Sequence, residues 1–190
     1  AKELQVFGLP LPREYGGLET PALVYMMFLN QVARSCISSS TLIAFYTSLG
    51  DMVHRFCDQE TIERLVPQVV AGKIFITNGG GGIQFVLAKV KGAPDTLDGI
   101  SMFFVEQDIE VNGEKVLNYS VDKSEEKMGM HGSFTTVISY ENSVAKLVGE
   151  EGKGFKYMLH LMNEARIVVA IQSLGGIEGA LGYARKYADE

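Results

Sequence analysis

The period of apolar and polar positions changes twice along the chain. Up to Thr20 there is no period. Pro10, Pro12 and the Gly16-Gly17 pair interrupt any helix, so residues 4–20 read as a loop-rich lead-in. From Pro21 the spacing is helical, with Leu23, Met26, Met27, Leu29, Asn30 and Ala33 recurring together. Thr20 is then the expected N-cap and Pro21 the first helical residue. A second helix is predicted from Leu42, Phe45, Leu49, Met52, Val53 and Phe56, capped by one of the hydroxyls from Ser38 to Thr41. Asp58 is placed to cap a third helix, with Ile62, Leu65, Val66 and Val69 on its apolar side and Gly72 as its stop.

The middle of the chain reads as strands. Ile74-Phe75-Ile76-Thr77 is rich in β-formers and ends in Asn78 and four glycines. Further strands are expected over 85–90, 101–106, 116–121 (a weaker one) and 135–140. After Gly154 the 3.6 period returns. Phe155, Met158, Leu159, Met162, Arg166, Val169, Ala170, Ser173, Leu174, Ile177, Ala180, Leu181 and Ala184 form one stripe. Gly175, Gly176, Gly179 and Gly182 each cost about 1 kcal/mol of helix propensity against Ala. Small residues at that density predict close helix–helix contact. Helices, then strands, then helices make an α+β chain and not an alternating βαβ one.

Composition narrows the function classes. With 190 residues, 46% hydrophobic and 21% charged, the chain is globular. The net charge of −6 is carried entirely by residues 96–190, since 1–95 balance. This is the opposite of a nucleic-acid footprint, and no nucleic-acid partner is expected. No uninterrupted apolar run approaches the ~18 residues of a membrane span, and the start, Ala-Lys-Glu, is no secretory signal. Cys36 and Cys57 make neither a disulfide framework nor a zinc set. His54, His131 and His160 show no ligand spacing, so no metal is expected. There is no GxSxG, P-loop or CxxC. Gly79 to Gly82 lack the strand–turn–helix context of a phosphate loop and read as a tight turn. Glu125-Glu126-Lys127 reads as a solvated turn. Asn163 and Arg166, one turn apart, could reach a ligand together or could cap a neighbouring helix.

The order of the motifs adds what composition lacks. Phe7-Gly8-Leu9-Pro10 with Glu14-Tyr15-Gly16-Gly17 opens the chain. Lys73-Ile74-Phe75-Ile76-Thr77-Asn78-Gly79 fits K-x-[WF]-I-[TS]-N-G. Residues Gly99 to Glu106 fit G-[IL]-S-x-F-[LF]-V-x. Glu126-Lys127-Met128-Gly129 with Gly132-Ser133 forms one turn motif, and Leu147 to Phe155 fits L-[LV]-G-E-x-G-x-G-[FL]. In this order the five segments resemble the acyl-CoA dehydrogenase family. Pro10 to Glu14 and Leu161 to Arg166 look most like its large bacterial branch, which includes long-chain and 3-methylmercaptopropionyl-CoA dehydrogenases.

The resemblance implies an FAD enzyme that desaturates an acyl-CoA thioester, with this chain an incomplete portion expected to be inactive alone. It implies an electron-transfer flavoprotein as partner, a homo-oligomer (dimer or tetramer) and a bacterial cytoplasmic location. It places Phe75 against the flavin, Thr77 at the ring edge and Ile76 as a source of backbone contacts. Asn163 and Arg166 would line the acyl-CoA site. Its domains would be a partial helical one over 1–72, a β-domain over 73–150 and the first helix of a C-terminal helical domain over 151–190. Two alternatives share these features: a flavin oxidase or monooxygenase of the same fold, and a flavin-free binding or assembly protein.

The departures are specific. The family's T-E-P-x-A-G-S-D segment and following strand pair are missing where Gly72 runs into Lys73. Dropping strands from a β-domain exposes an unpaired edge, so a break between Gly72 and Lys73 is expected. The R-x-x-F-G motif and the family's usual catalytic glutamate are not in the sequence. Some members carry the base just before the helix arginine, and Ala165 stands there. Glu164 is roughly 100° away around the helix and is not assigned as the base, so the catalytic residue is left unassigned.

Overall fold

A computed structural model describes residues 5–74 and 82–190. Among these are four helices: α1 (Ala22–Ser35), α2 (Ile37–Phe56), α3 (Gln59–Val70) and α4 (Gly154–Ala188). Seven strands lie between α3 and α4: β1 (Ile83–Lys89), β2 (Ile100–Glu106), β3 (Asp108–Val111), β4 (Glu114–Leu117), β5 (Ser120–Ser124), β6 (Thr136–Ser139) and β7 (Lys146–Val148). The order is α+β, as expected. β1, β2 and β7 form an antiparallel sheet with β2 in the centre, while β3–β4 and β5–β6 are separate hairpins. The expected weak strand over 116–121 is divided between β4 and β5, and β3 and β7 escape periodicity because each has only three or four residues.

Helix α2 is the centre of the helical layer. Ser40, Thr41, Ala44, Tyr46, Thr47, Leu49, Gly50, Met52 and Val53 are all buried, so no single face describes it. Its lower half joins α3 and the sheet in one core, where Tyr46, Leu49, Met52 and Val53 meet Leu65, Val66 and Val69 of α3 and Ile83, Met102, Phe104 and Val148 of the sheet. A smaller cluster of Tyr25, Leu29, Ala44 and Val168 joins α1, α2 and α4.

Two expected caps are corrected. Pro21, not Thr20, is the N-cap of α1, in an extended conformation with no side-chain cap. Cys36 precedes α2, so Ser38 to Thr41 lie inside it. There Thr41 donates to the Ile37 carbonyl (3.0 Å) and Ser40 to the Leu29 carbonyl (2.9 Å), tying α2 to α1. The third cap holds: Asp58 accepts from the Thr61 amide at 2.9 Å.

Helix α3 ends in a tight turn at Gly72 and Lys73. Gly72 has φ +60°, its amide donates to the Val69 carbonyl, and the Lys73 amide donates to the Gln68 carbonyl, both at 2.9 Å. That pair of bonds is a Schellman termination, in which a left-handed glycine closes the helix and turns the chain directly onward. Tyr46 then fixes the exit by donating to the Ile74 carbonyl at 2.7 Å.

Helix α4 makes the close contact expected of its small residues. Its apolar stripe is turned outward, with Leu159, Met162, Val169, Leu174, Ile177 and Leu181 exposed, while Val168, Gln172 and Gly175 are buried. The small-residue side makes the close contact. A methyl on Gly175 would lie 2.5 Å from the Asn30 carbonyl oxygen, and one on Gly179 would strike the Arg34 carbonyl. Among the described residues α4 is the one helix long and apolar enough to cross a membrane by length and composition. Counting uninterrupted apolar residues does not detect this, because Glu164, Arg166 and other polar residues punctuate the helix.

Gly175→Ala is expected to lower stability by about 1–3 kcal/mol through overpacking, whereas Gly182→Ala, whose methyl meets open space, raises it by up to ~1 kcal/mol. Urea unfolding of the two variants measures the difference.

The half-exposed Lys146–Asp58 pair, at 2.5 Å, ties β7 to the start of α3. The bonds from Lys146 and Thr61 hold the Asp58 carboxyl down at about 2. A carboxyl lowered on folding stabilises above its unfolded pKa of about 4 and loses that contribution as pH falls toward the folded value. Asp58→Asn keeps the cap but loses the ion pair, so it should flatten the fall in stability between about pH 4 and pH 2. Asp58→Ala should cost about 1 kcal/mol more at neutral pH. Thermal unfolding across that pH range checks both.

Candidate functional site

Three features of α4 bear on a candidate site. In the first, Arg166 donates to the Asn163 side-chain oxygen at 3.1 Å, and both residues are exposed. The structure therefore joins the two residues singled out by spacing. Asn163 fixes one nitrogen of the guanidinium, and the remaining donors are free for an anionic or carbonyl ligand.

The second feature is a crevice between α2 and α4. Ala44, Phe45 and Ser48 of α2 stand across from Leu161, Ala165 and Val169 of α4. Its volume is about 20 Å³, close to that of a single water. The wall is largely apolar and Ala165 is part of it. A hydrogen-bonded clamp spans the helices at the far end. Gln172 donates to Ser40 at 3.2 Å and accepts from Thr41 at 3.4 Å. Sequence reading passed over these residues, because a Gln inside a helical stripe carries no signal of what it faces.

The third feature is a larger cavity of about 240 Å³ between α1, α2 and α4, lined in part by Thr47, Asp51, Arg55 and Glu164. Tyr25 closes one side with a hydrogen bond to Thr47, and burial pushes its phenol up to about 12. Glu164 therefore faces this cavity while Ala165 lines the crevice. Asp51, His160 and Glu164 are the one group among the described residues whose ligand atoms come close enough to hold a metal ion.

The other motifs find local explanations. Lys127 donates to the carbonyls of Met130 (3.0 Å) and Ser133 and so staples the exposed turn before β6. Beside it lies an open groove of about 460 Å³ with Lys127, His131, Ser133 and Phe134 in its wall. In the run from Leu147 to Phe155, the Gly152 amide donates to the Ser101 hydroxyl at 2.9 Å. Gly154 lies so close to the Ser101–Met102 backbone that a side chain would collide. The glycines of this motif seat the start of α4 on β2. Phe75, Ile76 and Thr77 lie outside the described residues. Their described flanks are fixed, with Ile74 bonded to Tyr46 and Ile83 buried and paired with Glu106.

Known proteins match this arrangement. Residues 1–73 match the model of the acyl-CoA dehydrogenase N-terminal domain. An acyl-CoA dehydrogenase of Bacillus subtilis is 26% identical over 97% of this chain and 58% of its own length. That alignment takes 225 positions against a chain of 190 residues, so the relative carries positions that this chain lacks. A 3-methylmercaptopropionyl-CoA dehydrogenase of Ruegeria pomeroyi is 34% identical over 61% of this chain and 21% of its own length. The butyryl-CoA dehydrogenase structure from Megasphaera elsdenii superposes with a TM-score of 0.82 at 26% identity, covering 98% of this chain and 59% of that one. The chain thus spans somewhat over half the length of the relatives it matches along its full extent.

Proposed function

We propose that this chain, a relative of the acyl-CoA dehydrogenases, is part of an FAD-dependent enzyme that desaturates an acyl-CoA thioester between its α and β carbons. The observation that supports this best is the arrangement on α4: an apolar crevice against α2 with the exposed Asn163–Arg166 pair on the same helix. The crevice is apolar but, at about 20 Å³, must widen to take an acyl chain. The guanidinium, steadied by Asn163, suits the polar coenzyme A portion.

The residue types at 75–77 are ones that could hold a flavin. Phe75 offers an aromatic face, Thr77 a hydroxyl on a stiff β-branched side chain, and Ile76 backbone groups. When bound, FAD supplies the two-electron acceptor for the hydride that leaves the β carbon. The protein's own residues position the thioester, exclude water from the crevice and orient the α carbon. Ala165 offers no proton acceptor, so the general base is proposed to lie outside the helices and strands described above. The remaining proposals follow the resemblance: division into 1–72, 73–150 and 151–190, a homo-oligomeric assembly, an electron-transfer flavoprotein as acceptor, and a bacterial cytoplasmic location.

Titration of the purified chain with FAD, followed anaerobically by butyryl-CoA, tests the reading. The expected result is a bound flavin spectrum that butyryl-CoA perturbs. Arg166→Ala should weaken butyryl-CoA binding by about tenfold or more, the loss of one charged hydrogen bond, while leaving FAD binding unchanged. A chain that binds neither FAD nor butyryl-CoA contradicts the proposal.

A further inference from the structure

Asp51 projects from α2, and His160 and Glu164 stand one turn apart on α4. One ligand atom from each lies within 4.8 Å of the other two. The His160 Nε2 atom is shielded from solvent and makes no hydrogen bond, although Glu164 Oε1 is only 3.5 Å away. The His160 side chain is 40% exposed, but this nitrogen lacks a partner beside two carboxylates, an arrangement that a bound cation would satisfy. The Phe56 ring meets the imidazole edge-on, at 5.7 Å between centroids, and restricts its orientation.

The surrounding charges favour a cation. Arg55 contacts Asp51 from the next turn of α2, so two carboxylates face a single guanidinium. A carboxylate has two oxygens, and Asp51 can keep Arg55 on one while offering the other. The cavity of about 240 Å³ that Asp51 and Glu164 line leaves room for water in the remaining coordination positions.

We propose that Asp51, His160 and Glu164 form a binding site for a first-row divalent cation of the zinc type, which clips α2 to α4. Donors about 2.1 Å from a tetrahedral ion stand roughly 3.4 Å apart, so modest side-chain rotation closes the observed group around one ion. One imidazole nitrogen with two carboxylate oxygens suits Zn²⁺ or Co²⁺ better than the oxygen-seeking Mg²⁺. The His-x-x-x-Glu spacing puts two donors on one helix face, and the third from α2 makes the site depend on the packing of the two helices. This site is separate from the flavin and acyl-CoA reading, since Ala165 and Asn163–Arg166 lie outside the group of ligands.

Calorimetric titration of the chain with ZnCl₂, repeated on His160→Gln and Glu164→Gln, decides the matter. The expected result is one Zn²⁺ bound with micromolar affinity, at least tenfold weaker in either variant, and a higher melting temperature with Zn²⁺ in the wild type alone. Co²⁺ should give the visible spectrum of a nitrogen–oxygen site. No Zn²⁺ binding below millimolar concentration overturns the proposal. So does unchanged affinity in both variants, or a Co²⁺ spectrum with thiolate charge-transfer bands, which would put the metal on Cys36 or Cys57.

Discussion

The approach of α4 to α1 and α2 is the contact on which the rest of this structure depends. Gly175 and Gly179 let the α4 backbone rest almost directly on the Asn30 and Arg34 carbonyls, and Val168 and Gln172 fill the space toward α2. Moving α4 outward by the width of a methyl group would open the crevice beside Ala165, separate Gln172 from Ser40 and Thr41, and part Asp51 from His160 and Glu164. The cost in helix propensity, about 1 kcal/mol per glycine, is offset by packing that only a missing Cβ allows. Both the acyl-CoA reading and the cation site are consequences of this one helix pairing.

A second set of constraints joins the helical layer to the sheet. The Schellman turn at Gly72 and Lys73 releases the chain toward the sheet, and Gly152 and Gly154 bring it back over β2. Between these points Asp58–Lys146 and Arg64–Glu106 tie α3 to β7 and β2. These ion pairs are partly exposed and each contributes modestly. The shared apolar core around Met52, Val53, Leu65, Met102 and Phe104 carries the main stabilisation.

Much of this was legible in the sequence. Helical spacing marked all four helices, Asp58 announced its cap, and the glycines after residue 174 announced close helix contact. Ordered motifs pointed to the family that the comparisons then matched. The errors have physical causes. Period marks the apolar stripe of α4 but cannot tell a core face from an exposed one, and most of this stripe is exposed. Thr20 and Ser38 to Thr41 looked like caps by residue type, but Pro21 and Cys36 already held the extended conformations that precede the helices. Distance in sequence hid the Gln172 clamp. The flavin assignments at Phe75, Ile76 and Thr77 rest on the resemblance and fall outside the described residues.

A crystal structure of the chain grown with FAD and butyryl-CoA tests the central claim most directly. The account predicts α4 seated on α1 through Gly175 and Gly179, the butyryl group between Ala44, Phe45 and Ala165, and the coenzyme A portion beside Asn163 and Arg166. A butyryl group bound away from the α2–α4 crevice, or α4 parted from α1, would contradict it.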